Sequence, residues 1–168
     1  MKNELIHVSH ECIPLFINDD SEILILGSLP SVKSREEGFY YAHPRNRFFL
    51  TLSQVFNDNV PQTIDEKKDF LKRHKVALYD VLYECDIHAS SDASIKNPRV
   101  INIVKILDEH PNIKKIAING GKAKVLFDKY LLPLVKDKEK ILYLPSTSPA
   151  NARMSQSDLF KYYLNLIK

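Results

Sequence analysis

Glu22-Ile23-Leu24-Ile25-Leu26-Gly27 carries four large apolar residues in succession, with no polar position among them. A strand with one face in water alternates apolar and polar residues. An unbroken apolar run of this length, rich in branched side chains, instead suits a strand covered on both faces, as strands of parallel sheets are. Three further runs have the same character: residues 76–81 (VALYDV), 113–119 (IKKIAIN) and 140–144 (KILYL). Helical patterns separate them. Pro44 opens one, with Phe48, Phe49, Leu52, Val55 and Phe56 on a stripe, and Thr63 with Glu66 has the spacing of a capping box for a second. Asn97-Pro98 reads as the N-cap and first-turn proline of a third, carrying Ile101, Val104 and Leu107. Gly120-Gly121 leads into a fourth that ends by Pro133, and Ser155 with Asp158 caps a last one with Leu159, Tyr163 and Leu166 on its stripe. Strands that alternate with helices predict an α/β fold, a three-layer α/β/α sandwich around a four-stranded parallel sheet. Ligands of such sheets bind beyond the carboxyl ends of the strands, which directs attention to the segments after Leu26, Leu78, Ile118 and Leu144.

The 168 residues suit a single domain spanning 1–168, long enough to bury a continuous core. With 24 Lys+Arg against 21 Asp+Glu the net charge is only +3, so any contact with nucleic acid must come from a local basic patch. No apolar run approaches the roughly 20 residues of a membrane span, and residues 1–14 carry acids and histidines where a signal peptide would be apolar. The expectations are a cytoplasmic monomer with no membrane contact. Cys12 and Cys85 are far apart and lack Cys-x-x-Cys spacing, which excludes a four-cysteine iron–sulfur cluster or a cysteine-rich zinc site built from this chain alone. Reduced thiols, no metal and no cofactor are expected.

The loop after the first strand reads Gly27-Ser28-Leu29-Pro30-Ser31-Val32-Lys33-Ser34, close to the phosphate-binding pattern G-x-x-x-x-G-K-S. Val32 replaces the second glycine, and a β-branched residue resists the backbone angles that cradle phosphate. Pro30 removes an amide as well, so a nucleotide hydrolase is disfavoured. Downstream, Gly38-Phe39-Tyr40-Tyr41-Ala42-His43-Pro44-Arg45-Asn46-Arg47-Phe48-Phe49 puts three adjacent aromatics in a loop. Aromatic faces beside Lys33, Arg35, Arg45 and Arg47 suit stacking on a base and pairing with phosphate, although Phe39 or Tyr40 could equally fold into the core. Asn46 is placed in the first helical turn, off the apolar stripe, where packing does not require it. After the last strand, Pro145-Ser146-Thr147-Ser148-Pro149-Ala150-Asn151-Ala152-Arg153 is a stiff loop of hydroxyls and free amides suited to a phosphate backbone. Asn119-Gly120-Gly121-Lys122 offers a helix N-terminus to an anion, or simply makes a tight turn with Lys122 solvated.

In this order and at these strand ends, GSLPSVKS, GFYYAHPRNRFF and LPSTSPANAR resemble the uracil-DNA glycosylase superfamily, and most nearly its hypoxanthine-DNA (deoxyinosine) glycosylase branch, the sixth family. The resemblance implies a metal-free, monofunctional enzyme that removes deaminated bases from DNA. It places residues 27–31 in the first active-site motif, with Gly27, Ser28 and Leu29 at the base and Ser31 toward DNA. Residues 146–151 fall in the second motif, which presses Ser146, Ser148, Ala150 and Asn151 into the duplex. Tyr41 falls where a related branch stacks an aromatic on the flipped base, and Asn46 matches the expected catalytic asparagine. Leu29 and Ser146 stand at or near the places where the classical uracil enzymes carry Asp and His, which implies a shifted substrate range. Around these, Asp80 is a candidate for reading the base edge, and His43 for touching base or phosphate or for holding its own turn. Lys33, Arg45, Arg47, Lys122 and Arg153 are candidates for the DNA backbone. A non-catalytic nucleic-acid-binding module of the same fold is the alternative.

Overall fold

The computed structural model describes residues 5–88 and 95–168. In chain order the strands are β1 (Leu5–Ser9), β2 (Ile23–Gly27), β3 (Val76–Asp80), β4 (Leu82–His88), β5 (Lys96–Val100), β6 (Lys115–Asn119) and β7 (Ile141–Leu144). The helices are α1 (Val32–Glu37), α2 (Phe48–Phe56), α3 (Ile64–Arg73), α4 (Ile103–Glu109), α5 (Gly121–Tyr130) and α6 (Gln156–Tyr163). The expected parallel sheet is present, in the order β3-β2-β6-β7.

Strand β2 is interior to this sheet and buried at every position. Because side chains alternate across a strand, its residues divide between two cores. Leu24 and Leu26 join Ile116 and Ile118 of β6 under Ile103 and Ile106 of α4 and Ala123, Leu126 and Phe127 of α5. Ile23 and Ile25 join Val76 and Leu78 of β3 on the other side, against Phe48 and Leu52 of α2, Phe70 and Leu71 of α3, and Leu159 and Tyr163 of α6. Helix, sheet and helix form the three layers. Capping boxes at Thr63/Glu66 and Ser155/Asp158 start α3 and α6 as their spacing predicts.

A second sheet, antiparallel and ordered β1-β4-β5, is an addition to the sequence reading. The chain leaves β3 through Val81 directly into β4, whose Leu82, Cys85 and Ile87 are buried. The third helix is corrected here. Asn97 and Pro98 lie in β5, and α4 begins at Ile103, where the side chain of Asn102 accepts from the Lys105 amide at 3.1 Å. Pairing with β4 outweighs the local Asn-Pro signal, and a proline is tolerated because β5 is an edge strand. The aromatic helix is corrected too, since α2 starts at Phe48 and residues 41–47 form a turn before it.

The segment after β1 runs back along the outer edge of β3. The Phe16 amide donates to Leu78 O at 3.1 Å and the Leu78 amide to Phe16 O at 2.9 Å, which covers an otherwise open edge. Cys12 and Cys85 are not joined in a disulfide. Among the described residues no helix is long and apolar enough to cross a membrane.

Because β2 supports both cores, Leu24→Ala should lower the unfolding free energy by about 2–5 kcal/mol, read from urea denaturation. A loss under about 1 kcal/mol would mean that the layer around Leu24 closes over the gap.

Candidate active site

The carboxyl ends of the four parallel strands open into a cleft of about 890 Å³. Gly27 to Ser31 line it from β2, Asp80 from β3, Asn119 to Lys122 from β6, and Pro145 to Asn151 from β7. Tyr41, His43 and Asn46 complete it from the turn before α2.

The first loop is held by the sheet itself. Gly27 pairs in register with Asp80, the Val81 amide donates to Gly27 O at 2.8 Å and the Leu82 amide to Ser28 O at 3.0 Å. A side chain at Gly27 would collide with Oδ1 of Asp80, and its first carbon would stand 3.5 Å from the Tyr41 hydroxyl. The Asp80 carboxylate therefore occupies the space a side chain at position 27 would need, while the Tyr41 contact would be an ordinary one. Leu29 packs against the core and lines the cleft. Ser31 caps α1 by accepting from the Ser34 amide at 3.1 Å. Lys33 points to Glu37 at 3.1 Å, so neither residue is arranged as a phosphate-binding loop would have it.

Of the three adjacent aromatics, Phe39 and Tyr40 are buried in the core, and Tyr41 remains at the cleft. Tyr41 has φ 53°, a left-handed conformation that a tyrosine adopts only under constraint. The constraint is its stacking on Phe48, with centroids 3.8 Å apart and planes 14° from parallel. Burial first, and the nearby Asp80 carboxylate second, hold the Tyr41 hydroxyl well above the ordinary phenol range, so it stays protonated.

The next residues form a tight turn. His43 accepts from the Arg45 amide on Nδ1 at 3.1 Å and from the Asn46 amide on its carbonyl at 2.9 Å. Asn46 consequently lies before α2, not in its first turn, and its Oδ1 accepts from the Phe48 amide at 2.9 Å. That bond fixes which end of the amide is oxygen and holds the side chain at the wall of the cleft.

The second loop is tied down by side chains. The Arg47 amide donates to Thr147 O at 3.0 Å, and its guanidinium donates to Met154 O at 2.6 Å and Asn151 O at 3.0 Å. Ser146 and Ser148 accept from the amides two residues on, at 3.1 and 3.2 Å, and Asn151 donates to Ser146 O at 2.9 Å. Buried Asn119 and Thr147 exchange two bonds of 3.3 Å, and Gly120, at φ 99°, sits where a side chain would press on Ser146.

Of the basic residues expected to face DNA, Lys122 lines the cleft, while Arg45 and Arg153 are exposed outside its lining. Lys33 and Arg47 have partners within the protein instead. Arg35, one of the basic residues expected beside the aromatics, lines the cleft, and so does Asn119, which was not named as a site residue. Asn119 carried a signal, a polar residue closing an apolar strand ahead of Gly-Gly.

Comparison with known proteins agrees with this fold. Residues 14–168 match the profile of the family described as "Uracil DNA glycosylase superfamily". The chain belongs to the uracil DNA glycosylase superfamily. Two relatives named hypoxanthine DNA glycosylase match it: one from Methanosarcina acetivorans at 32% identity, covering 86% of this chain and 89% of the relative, and one from Methanosarcina barkeri at 34%, covering 66% and 70%. A solution NMR structure of a candidate uracil DNA glycosylase from Methanosarcina acetivorans superimposes with TM-score 0.77 at 28% identity, over 93% of this chain and 97% of that one.

Within this superfamily fold, the arginines flanking Asn46 have different surroundings, and they should respond differently to substitution. Arg47→Ala leaves two carbonyls without donors, and should lower the melting temperature by an amount equivalent to about 1–3 kcal/mol without changing the salt dependence of DNA binding. Arg45→Ala should leave stability unaltered and flatten the logarithmic salt slope by about 0.9, as expected for one lost phosphate contact. Thermal melts and a salt titration of duplex binding separate the two.

Proposed function

We propose that this protein is a monofunctional DNA glycosylase of base excision repair that removes deaminated bases, hypoxanthine first, with uracil and xanthine as further substrates. Support comes from the two relatives named hypoxanthine DNA glycosylase and from the residues at the cleft. The observation that carries the reading is Asn46, whose amide is oriented by the Phe48 N–H at the wall of a cleft closed by both loops.

The target bond is inaccessible inside a stacked duplex, so the nucleotide is flipped out at a cost of a few kcal/mol, less for a deaminated base in a mismatch. Ser146, Ser148, Ala150 and Asn151 press on the duplex, and their loop is rigid enough for this because its own hydroxyls and Arg47 tie it. Lys122, Arg45 and Arg153 meet phosphates, and the ring of Tyr41, backed by Phe48, stacks on the base. The bond between C1′ and the base then breaks, with its electron pair leaving on the base and positive charge growing on the sugar. Amides around Ser28 stabilise the departing anion as an oxyanion hole would. Water forms the new bond to C1′ and gives its proton to solvent, from which the departing base anion takes one up. Asn46 is no base, but Oδ1 keeps a second lone pair that can accept from this water and aim it, which suffices for an electrophilic sugar. Leu29 and Ser146 supply neither carboxylate nor imidazole, so the barrier is lowered mainly by orientation and by leaving-group stabilisation.

Asn46→Ala should bind an inosine-containing duplex almost normally yet cleave it in single turnover roughly a hundredfold or more slowly, about 3 kcal/mol. Losing its hydrogen bond from the Phe48 amide should cost about 0.5–1.5 kcal/mol in stability. An unchanged rate would remove Asn46 from catalysis, and retarded but intact DNA with the wild-type protein would make it a binding module.

Tyr41→Leu should weaken capture of the flipped base by about 1–3 kcal/mol, measured as affinity for a duplex carrying a non-cleavable inosine analogue. Unaltered affinity in a folded variant would confine Tyr41 to packing on Phe48.

A further inference from the structure

His10 belongs to none of the sequence motifs and has no part in the mechanism above, yet its side chain is fully buried. The backbone puts it beside the cleft. Its amide donates to Tyr83 O at 3.0 Å, and the turn from His10 to Ile13 closes with the Ile13 amide on His10 O at 3.2 Å. The ring lies among Tyr40, Tyr79 and Tyr83, with centroids at 6.0, 4.7 and 6.3 Å. Nδ1 is 2.6 Å from Ile13 O; a carbonyl only accepts, so Nδ1 carries a proton. Nε2 stands 3.0 Å from Oδ2 of Asp80, within ion-pair distance, and neither buried atom has a hydrogen-bond partner, so each has only the other to face. Two acceptors at that distance would repel, so the contact needs a second proton. A proton on the ring and a charge on the carboxylate is the arrangement that makes this contact an ion pair. The tyrosines bring no competing charge, since Tyr40 donates to Pro14 O at 2.9 Å and burial raises both Tyr40 and Tyr79, the latter to about 12. Oδ1 is the Asp80 oxygen that forbids a side chain at Gly27 in the cleft.

We propose that His10 is a positioning residue: its imidazolium holds Asp80 as an ionised acceptor on the cleft floor, and so selects flipped bases that present a ring N–H. This rests on the glycosylase reading and deepens it. Deamination of adenine or cytosine turns a ring nitrogen from acceptor into N–H donor, at N1 of hypoxanthine and N3 of uracil. A fixed carboxylate accepts from that N–H and meets the lone pair of the parent base with repulsion. Guanine has an N1–H of its own, so this contact alone does not separate it from xanthine; other walls of the cleft must.

The test is a double-substitution cycle in the full chain, with His10→Leu, Asp80→Asn and both together, read as single-turnover release of hypoxanthine beside melting temperature. Each single change should slow release by roughly ten- to a hundredfold, the worth of a hydrogen bond to a charged group, and the double variant should be no slower than the slower single. If His10→Leu slows the Asp80→Asn protein as much as it slows wild type, His10 acts independently of Asp80 and the inference fails. Should His10→Leu not fold, ¹⁵N spectra of the imidazole decide in wild type: both ring nitrogens protonated, with Nε2 losing its proton in Asp80→Asn. A singly protonated wild-type ring overturns the pair. A wild-type protein that releases no base at all, with the ring doubly protonated, overturns the glycosylase reading and the base selection with it, but not the pair.

Discussion

The register that sets Gly27 beside Asp80 underlies nearly everything at the cleft. Parallel pairing of β2 with β3 aligns their last residues, and the Val81 and Leu82 amides then hold the carbonyls of Gly27 and Ser28. A glycine is needed there because the Asp80 carboxylate occupies the space of its missing side chain. A slip of one residue would reverse every side chain of β3. Leu78 would leave one core, Ala77 the other, and Asp80 would be withdrawn from the cleft. The hydrophobic burial of the two cores therefore enforces the placement of a charged group that contributes nothing to either.

Around that fixed floor, the two loops that close the cleft depend on each other. The turn from Tyr41 to Arg47 is set by His43, by the bond that Asn46 accepts from the Phe48 amide and by the stacking of Tyr41 on Phe48. Its last residue, Arg47, reaches the Thr147–Met154 segment through three hydrogen bonds. A wall carrying an aromatic face and an oriented amide is thereby coupled to a wall of hydroxyls and amides. The proposed mechanism requires such rigidity, because an amide aiming a water has little intrinsic basicity to compensate for misplacement.

Several of these features were legible in the sequence. The four apolar runs, two capping boxes and the order of the three loops are local signals, and each comes from side-chain chemistry within a few residues. The Asn97-Pro98 pair misled because a local helix-start signal yielded to pairing with β4, a partner more than ten residues away in sequence. Arg47 looked like its neighbour Arg45, since nothing local reveals that two carbonyls near residue 150 await the guanidinium. Asn46 stood out as a candidate by its motif, but its place outside α2 depended on the His43 turn.

The sequence by itself determined the layers, the parallel sheet and the strand ends at which a site would form, because burial on both faces leaves a periodic signature in the chain. It also determined the chemistry available there, an amide, aromatics and hydroxyls. Only the tertiary structure decided which charges face the cleft and which are used up within the protein, as for Lys33 and Arg47. It alone brought His10 to Asp80, across 70 positions of sequence and from a sheet that the apolar runs did not announce. The physical reason is range: secondary structure and burial are written in nearest neighbours, whereas the pairing of buried polar groups is fixed by whichever distant segments the packing brings within 3 Å of one another.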